Sequence, residues 1–330
     1  MSCQIDPEAT KRAGGEALDD GVRVRGWSVR LKLAGITRDS EMERQREELG
    51  MVTLPEQYFG GSRVTLLHEP SGVRIEFDAR DAVAAIGVDP SPPLHVRAAS
   101  TWLDTHRQEV EANHAKVLEY DWTFTTGYRG TTTVDGAPVP PADCQVPGGA
   151  SGAQQEASGS VGGASGARGG ADEPAVASPL LRWTSPAPAF DRSLLLARDP
   201  ILLFASVPIY ESELEDNGVA SASVRLRVMP RCFLLLFRFY LRVDGVAVRL
   251  RETRVYSPFG AGTGPAVVTR ETTHYEGTYE QLRASGVPCT PSALSDGDAA
   301  AAALSAASPS CMRRYVIERL VLAPKAQQAS

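Results

Sequence analysis

The densest group of chemically capable side chains in this sequence is a run of arginines. Eight arginines lie between positions 225 and 254, against two acidic residues, although the whole chain carries a net charge of −6. A guanidinium group binds a carboxylate through two parallel hydrogen bonds, so a face lined with arginines favours an acidic partner. The alternative is a solvated strand face whose arginine stems cover apolar surface. The arginines that we assign to a partner-binding surface are Arg225, Arg227, Arg238, Arg249, Arg251 and Arg254.

Three acidic residues could supply a second kind of chemistry. Asp78 lies at the start of a predicted helix and caps it, so Asp81, three residues further on, is not needed as a cap. Asp81 is therefore either a binding residue or a solvated helix residue. Together with Asp121 and Glu252 it could form the acid/base set of a hydrolase, which requires two carboxylates within about 5–10 Å of each other in a pocket.

The remaining motifs argue against several other kinds of chemistry. The histidines form no metal-binding motif, the five cysteines form no Cys-x-x-Cys pair, and no Gly-x-Ser-x-Gly is present. We therefore predict no metal, no cofactor and no catalytic residue. The segment from Gly260 to Gly264 has the composition of a phosphate-binding loop, but it lacks the Gly-Lys-Ser/Thr ending, which favours an ordinary loop.

Composition also narrows the class of protein. A pI near 5.5 argues against general nucleic-acid binding, and a single-stranded RNA-binding sheet that uses Phe239, Tyr240 and the arginines is kept as an alternative. We expect no membrane association, because the sequence has neither a secretory signal nor a run of about 20 apolar residues. An odd number of cysteines is consistent with reduced thiols. These observations predict a cytoplasmic protein, with the nucleus as a further compartment.

One predicted hairpin must position the arginines. From Phe233 to Val243 every second residue is apolar, which is typical of a strand with one buried face. Asp244-Gly245 then predicts a two-residue turn in which Val243 pairs with Val246. That register predicts three cross-strand pairs: Arg238 with Arg251, Tyr240 with Arg249, and Phe237 with Glu252. Like charges that face each other are unfavourable, so the arginine face requires water or an acidic partner.

The chain divides by composition into one domain, two tails and an insertion. Residues 1–21 are polar and unpatterned, which indicates a mobile tail, and residues 324–330 form a second tail. Between positions 136 and 178 the sequence is dominated by Gly, Ala and Ser, so we predict a disordered insertion that cannot offset its ordering entropy. Residues 22–323 then form a single domain. Short strands joined by turns, with a few helical segments, predict an α+β fold of antiparallel sheets.

Several long motifs resemble those of one protein family. Around the hairpin they are RLRVMP from Arg225, FLLLFRF from Phe233 and LRVDGVAVRL from Leu241. Upstream they are LPEQYFG from Leu54, GVRIEFDARDAV from Gly72 and EYDWTFTTGYRGT from Glu119. Together they are similar to the TIPRL family, whose members regulate TOR signalling and bind the catalytic subunits of type 2A-like Ser/Thr protein phosphatases.

The resemblance implies a non-enzymatic protein that binds such a catalytic subunit and modulates its activity or assembly. Four positions match family positions linked to phosphatase binding: Asp81, Phe190, Leu250 and Glu252. Better-known relatives have Asp at the position of Glu252, and core packing is the alternative role of Phe190 and Leu250.

Two partners follow from the same resemblance. The phosphatase's C-terminal tail, which is acidic and ends in a free carboxylate, is the ligand that we expect in an arginine-lined groove. The phosphatase-associated alpha-four/Tap-type protein is a further expected partner.

Overall fold

Two antiparallel β-sheets form the framework of the described part of the protein. The computed structural model describes residues 2–51, 53–87, 104–105, 107, 123–142, 181–189, 191, 193, 198–260, 265–307 and 310–324. The predicted α+β fold, a single domain of antiparallel sheets with a few helices, is confirmed.

Sheet I contains the predicted hairpin near its centre. Its strands are β1 (Ser2–Ile5), β5 (Gln57–Tyr58), β10 (Leu203–Ser212), β11 (Gly218–Met229), β12 (Cys232–Val243), β13 (Ala247–Pro258), β14 (Ala266–Thr278) and β15 (Met312–Leu322). Their order is β1-β10-β11-β12-β13-β14-β15, and β5 pairs with β10. The long central strands therefore provide a broad platform with two faces.

Sheet II is built from shorter strands of the first half of the chain. They are β2 (Glu16–Leu18), β3 (Gly21–Val24), β4 (Trp27–Lys32), β6 (Arg63–His68), β7 (Val73–Asp78), β8 (Thr131–Val134) and β9 (Ala137–Pro138), and they are adjacent in the order β2-β3-β4-β6-β7-β8-β9. The described helices are α1 (Pro7–Arg12), α2 (Asp39–Glu48), α3 (Ala79–Ala84), α4 (Tyr279–Ala284) and α5 (Gly297–Ala306).

The main core lies between the two sheets. The alternating series from Phe233 to Val243 is buried on the inner face of sheet I, the face towards sheet II, as predicted. Trp27 of β4 packs edge-on against Phe233 with ring centroids 4.9 Å apart, and Phe77 of β7 stacks on Phe237 at 5.8 Å. Each buried aromatic side chain contributes about 1.5–3 kcal/mol through the hydrophobic effect, so these contacts hold the sheets together.

Helices α4 and α5 cover one end of the opposite face of sheet I, which we call the outer face. Tyr240 and Leu250 of the sheet form a second buried cluster with Leu282 of α4 and Leu304 of α5. The Tyr240 hydroxyl donates a hydrogen bond of 2.5 Å to the carbonyl of Leu294, which precedes α5. The alanine-rich segment 297–306 thus forms a helix that is packed on the sheet.

The structure corrects the predicted turn of the β12–β13 hairpin. Its loop contains three residues, 244–246, so Val243 pairs with Ala247 instead of Val246. Gly245 adopts a positive φ of 74°, which suits glycine. The backbone of Val246 is held by the start of α4, since its carbonyl accepts a 3.0 Å hydrogen bond from the Tyr279 N–H. This tertiary contact favours the longer loop, and a hairpin dipeptide alone does not reveal it.

The longer loop shifts the register of β13 by one residue. A shift of one residue turns every side chain of a strand to the opposite face of the sheet. Arg249 and Arg251 consequently lie on the inner face, opposite Leu241 and Phe239, and not on the predicted arginine face. Glu252, which was predicted on the apolar face, lies on the outer face.

The structure also corrects the predicted mobile tail over residues 1–21. Strand β1 pairs with β10, β2 pairs with β3, and Asp6 caps α1 by accepting a 2.8 Å hydrogen bond from the Ala9 N–H. Pairing at a sheet edge satisfies backbone groups and requires few apolar side chains. A polar composition is therefore compatible with an ordered edge strand.

The beginning of the predicted insertion belongs to the fold. Residues 137–138 form β9, which pairs with β8, and Val139 and Ala142 are buried. Residues 143–178 and 325–330, which make up the rest of the insertion and most of the predicted C-terminal tail, lie outside the described residues.

A buried ionic cluster occupies the inner face of sheet I towards β15. Glu318 accepts a 2.8 Å hydrogen bond from Arg270 and lies 3.4 Å from Arg129, which precedes β8. The Ala142 N–H donates to the same carboxylate at 3.4 Å, and the Arg270 guanidinium lies 4.0 Å from the centre of the Trp183 ring. Burial opposes ionisation of Glu318, but the hydrogen bond and charge of Arg270 outweigh it and hold the pKa of Glu318 below its usual range. Glu318 thus connects sheet I to the segments around β8 and β9.

We expect Glu318→Gln to lower the free energy of unfolding by about 3–5 kcal/mol at pH 7, because it leaves two guanidinium groups without their buried charge partner. A carboxyl whose pKa is lower in the folded state contributes stability above its unfolded pKa of about 4.3, and that stability is lost as the pH falls through the folded pKa. The difference between wild type and variant should therefore shrink below about pH 4. Urea titrations at pH 7 and in this acidic range measure it, and a constant difference would contradict the assignment.

Candidate carboxylate-binding groove

The outer face of sheet I collects most of the charged residues that the sequence singled out. The predicted site residues that share this face are Arg225, Arg227, Arg238, Glu252 and Arg254. Arg238 lies directly opposite Glu252, and Leu236 on the same strand lies between Arg225 and Arg254. Of the arginines that the sequence analysis assigned to a partner-binding surface, those on β11, on β12 and at position 254 therefore lie on one face of the sheet.

These side chains form a chain of ion pairs that alternates in sign across the sheet. In order along the chain they are Arg225, Asp298, Arg238, Glu252, Arg254 and Glu271. The Arg238 guanidinium is at the centre, 2.5 Å from the Asp298 carboxylate and 2.6 Å from that of Glu252. The side chains of Arg238 and Glu252 are 10% and 1% exposed, so mutual pairing is what makes their burial tolerable.

A groove of about 470 Å³ opens beside this chain of ion pairs. It lies over β10, β11 and β12 and is bounded by the start of α5. Its lining combines hydroxyl groups, apolar side chains, two guanidinium groups and two carboxylates, among them Ser221, Ser223, Phe59, Leu236, Tyr240, Arg225, Arg238, Glu211 and Asp296. Hydroxyl donors, two guanidinium groups and apolar walls are suited to an extended segment that carries a carboxylate beside an apolar side chain.

Asp298, at the start of α5, pairs with the two arginines that line the groove. Its carboxylate lies 2.7 Å from Arg225 as well as 2.5 Å from Arg238. Burial of Asp298 opposes ionisation, but hydrogen bonds from Arg238 and Arg225 outweigh it and hold the pKa of Asp298 below its usual range. Burial of Arg238 likewise disfavours its charge, yet the charge of Glu252 and the hydrogen bonds from Arg238 to Asp298 and Glu252 raise its pKa. These shifts keep Asp298 and Arg238 charged at neutral pH.

Arg227 differs from the other arginines of the outer face. It is half-buried next to Phe204 and Leu234, its partners across β10 and β12. No carboxylate of the described residues lies within 4 Å of its guanidinium. Arg227 thus adds positive charge one row along the face from Arg225.

Two of the predicted binding arginines are not part of this surface. Arg249 is 1% exposed on the inner face and bonds to Glu276 at 2.7 Å and to the Thr125 hydroxyl at 2.8 Å. Arg251 lies beside it, 3.3 Å from the same carboxylate. The shifted hairpin register explains the correction, because it places both side chains between the sheets.

Asp81 lies on α3, next to sheet II, and contacts the last residue of the EYDWTFTTGYRGT motif. Its carboxylate accepts a 2.6 Å hydrogen bond from the Thr131 hydroxyl. The Tyr128 hydroxyl in turn lies 3.2 Å from Thr131 and donates to the Glu76 carbonyl at 3.0 Å. Asp78 caps α3 as predicted, because its carboxylate accepts a 2.8 Å hydrogen bond from the backbone N–H of residue 80. Asp81 therefore has a structural contact of its own, and no ion pair among the described residues joins it to the groove.

The two apolar candidates have different outcomes. Leu250 is fully buried on the outer face, beneath α4 and α5, which is the core-packing position considered from the sequence. Phe190 lies outside the described residues.

The alternative functions gain no support from the described residues. Asp81 lies on α3 and Glu252 on β13, and neither lines the groove, while Asp121 is outside the described residues. Phe239 and Tyr240 are buried, so they present no stacking surface for RNA bases. Within the described ranges no cluster of three or more potential metal ligands occurs, and no helix has the length and apolar character of a membrane span.

Three residues in or beside the groove were not predicted from the sequence. Phe59, Ser221 and Asp298 come from three separate parts of the chain, and only the tertiary fold brings them together. A weak signal existed for Asp298, since Asp296-Gly297-Asp298 followed by a run of alanines is typical of a capped helix start. Nothing in the sequence indicated where that helix packs.

The groove thus exposes guanidinium, carboxylate, hydroxyl and apolar groups on one face of a broad antiparallel sheet. Comparison with known proteins then gives the family: residues 57–283 match the model of the TIP41-like family. The chain is 32% identical to a TIP41-like protein of Arabidopsis thaliana over 299 residues, which cover 90% of this chain and 92% of the relative. It therefore belongs to the TIP41-like family, which confirms the resemblance noted in its motifs.

Two further relatives extend the comparison. A TIP41-like protein of Homo sapiens is 31% identical over 230 residues, 70% of this chain and 68% of the relative. A Saccharomyces cerevisiae protein named type 2A phosphatase activator TIP41 is 27% identical over 285 residues, 80% of this chain and 64% of the relative. Helix α5 and Asp298 lie beyond the end of the family match at residue 283.

We expect an arginine-to-glutamate substitution to cost much more stability on the inner face of sheet I than on the outer face. Arg249→Glu should destabilise the protein by about 3–5 kcal/mol, because it buries a second carboxylate beside Glu276. Arg225→Glu, at a position where 48% of the side chain is exposed, should cost about 1 kcal/mol or less. Urea unfolding followed by circular dichroism measures both, and equal losses would contradict the assignment of the two arginines to different faces.

The structural role of Asp81 can be tested with Thr131. Asp81→Ala and Thr131→Val should each lower the unfolding free energy by about 1–2 kcal/mol, since each removes one partner of a charge-assisted hydrogen bond. The double variant should lose less than the sum of the two single losses, because the same bond is removed twice. Strict additivity in thermal or urea unfolding would show that the two side chains do not interact.

Proposed function

We propose that this protein is a non-enzymatic regulator that binds the catalytic subunit of type 2A-like Ser/Thr protein phosphatases and modulates their activity or assembly. Membership of the TIP41-like family supports the proposal. So do the names of two relatives, from Saccharomyces cerevisiae and Schizosaccharomyces pombe, which are both called type 2A phosphatase activators. The setting that we propose is TOR-dependent signalling in the cytoplasm, with the nucleus as a further compartment and the alpha-four/Tap-type protein as a further partner.

The groove on the outer face is the observation that carries a binding mechanism. In a chain with a net charge of −6, it places two guanidinium groups beside serine hydroxyls and apolar walls. We infer that it receives the acidic C-terminal tail of the catalytic subunit, whose free carboxylate pairs with Arg225 and Arg238. Arg227 lies in the next row and adds positive charge for a second acidic group of the tail.

Docking in this groove acts by position and charge. A tail that lies across β10–β12 brings the adjoining surface of the catalytic subunit over sheet I, where it blocks or redirects other regulators that need the same tail. Asp81 and Glu252 have different places in this proposal. Glu252 orients Arg238 from beneath, whereas Asp81 holds the Tyr128–Thr131 segment and contacts a partner only if the interface extends to sheet II.

The test is binding of the full chain to a purified type 2A phosphatase catalytic subunit, with and without its C-terminal tail. Arg225→Glu combined with Arg227→Glu should weaken tail-dependent binding by about tenfold or more, because it reverses two charges at the docking surface. The matched control is Arg30→Glu combined with Arg74→Glu, which reverses two exposed, strand-borne arginines of sheet II. The control variant should bind like wild type.

Each contrary result has a distinct meaning. Binding that ignores both the tail and the outer-face arginines would overturn the docking mechanism and transfer the interface to another surface, with Asp81→Ala and Thr131→Val as the next variants. No binding by the folded wild-type chain would overturn the phosphatase-binding proposal itself. Melting curves of every variant establish that it is folded before its affinity is interpreted.

A further inference from the structure

Both arginines that line the groove are already paired with one acid of the protein itself, Asp298. We propose that Asp298 of α5 is an intramolecular competitor, which occupies the position that a partner's carboxylate takes and must be displaced before the partner binds. This inference rests on the proposed function, since it concerns regulation of the same groove. It adds a residue and a helix that lie beyond the family match at residues 57–283.

The geometry of Asp298 is that of a bound carboxylate. One of its oxygens lies 2.7 Å from Arg225 and the other lies 2.5 Å from Arg238, so its two oxygens serve one guanidinium each. A free carboxylate at the end of a peptide offers the same two oxygens. Both cannot occupy this position together, because two carboxylates in contact repel each other.

Displacement of Asp298 affects Arg238 and Arg225 differently. Arg238 keeps its 2.6 Å contact with Glu252 when Asp298 leaves, so it remains paired and oriented. Arg225 has an exposed side chain, and Asp298 is its ion-pair partner among the residues that the structure describes. The departure of Asp298 therefore exposes one positive charge at Arg225, inside the groove and beside the apolar wall.

The side chain of Asp298 can rotate away from the two arginines while helix α5 stays in place. Helix α5 is held by its cap, in which the Asp296 carboxylate accepts hydrogen bonds from the backbone N–H groups of residues 298 and 299 at 2.8 and 2.9 Å. Ala300 and Leu304 anchor the helix in the buried cluster. The Asp298 side chain itself is 55% exposed, so its rotation towards solvent disturbs neither the cap nor the apolar contacts.

The test compares wild type with Asp298→Asn, which keeps the shape and removes the charge. The probe is a synthetic peptide of the phosphatase tail with a free carboxylate, and the same peptide with an amidated end. Asp298→Asn should bind the free-acid peptide about three to ten times more tightly, as expected when an exposed competing ion pair is removed. The amidated peptide should gain less, because it offers no carboxylate to the two arginines.

Two further variants separate competition from general effects of charge. Asp298→Glu keeps the competing carboxylate and should bind close to wild type. Asp199→Asn removes the acid of the Arg231–Asp199 ion pair, which lies at the β11–β12 turn, and should leave the peptide affinity unchanged. All variants are compared with wild type by thermal melting.

The outcomes distinguish this inference from the proposed function. If wild type binds the catalytic subunit and Asp298→Asn binds the peptide no more tightly, the competitor role is wrong while the phosphatase function stands. If Asp298→Asn binds more weakly, Asp298 orients the arginines and does not compete. If neither protein binds the catalytic subunit or the peptide, the proposed function fails and the inference fails with it.

Discussion

The register of the β12–β13 hairpin is the constraint on which the rest of this structure depends. With three residues in the loop, the aromatic series of β12 faces sheet II while Arg238 and Glu252 face each other on the outer side. A two-residue loop would exchange the faces of β13 and bring Glu252 into the apolar core. The hydrogen bond from the Tyr279 N–H to the Val246 carbonyl holds the longer loop. One backbone contact at the start of α4 thus helps to decide which arginines reach the groove.

Both faces of sheet I contain buried charged side chains, and the charges are neutralised differently on the two faces. On the inner face, Glu318 and Glu276 are held by buried arginines of the same sheet. Contacts of Glu318 with Arg129 and of Arg249 with Thr125 connect these pairs to the first half of the chain. On the outer face the arginines alternate with acids, so the strong positive charge suggested by composition is largely neutralised within the protein. The binding capacity of the groove therefore depends on how firmly each internal acid is held, rather than on the number of arginines.

The sequence was informative where a local pattern decides the structure. Alternation from Phe233 to Val243 identified the core face, and Asp78 was correctly predicted as a helix cap, because both depend on neighbouring residues alone. The faces of Arg249 and Arg251 depended on loop length, which a tertiary contact of Val246 sets. Asp298 joined the groove through the packing of α5 on Tyr240 and Leu250. No local signal encodes that contact, so the acid that completes the site was not predicted.

The internal acids also determine which ligands the groove can distinguish. Arg238 is largely buried, and a buried guanidinium without a partner would cost several kcal/mol, so the fold requires Glu252 beneath it. Asp298 is more exposed, and replacing it with an external carboxylate exchanges one ion pair for a similar one. That exchange contributes little affinity by itself. Discrimination must then come from what a ligand adds beside its carboxylate, namely an apolar side chain against Phe59 and Leu236 and a further acid near Arg227.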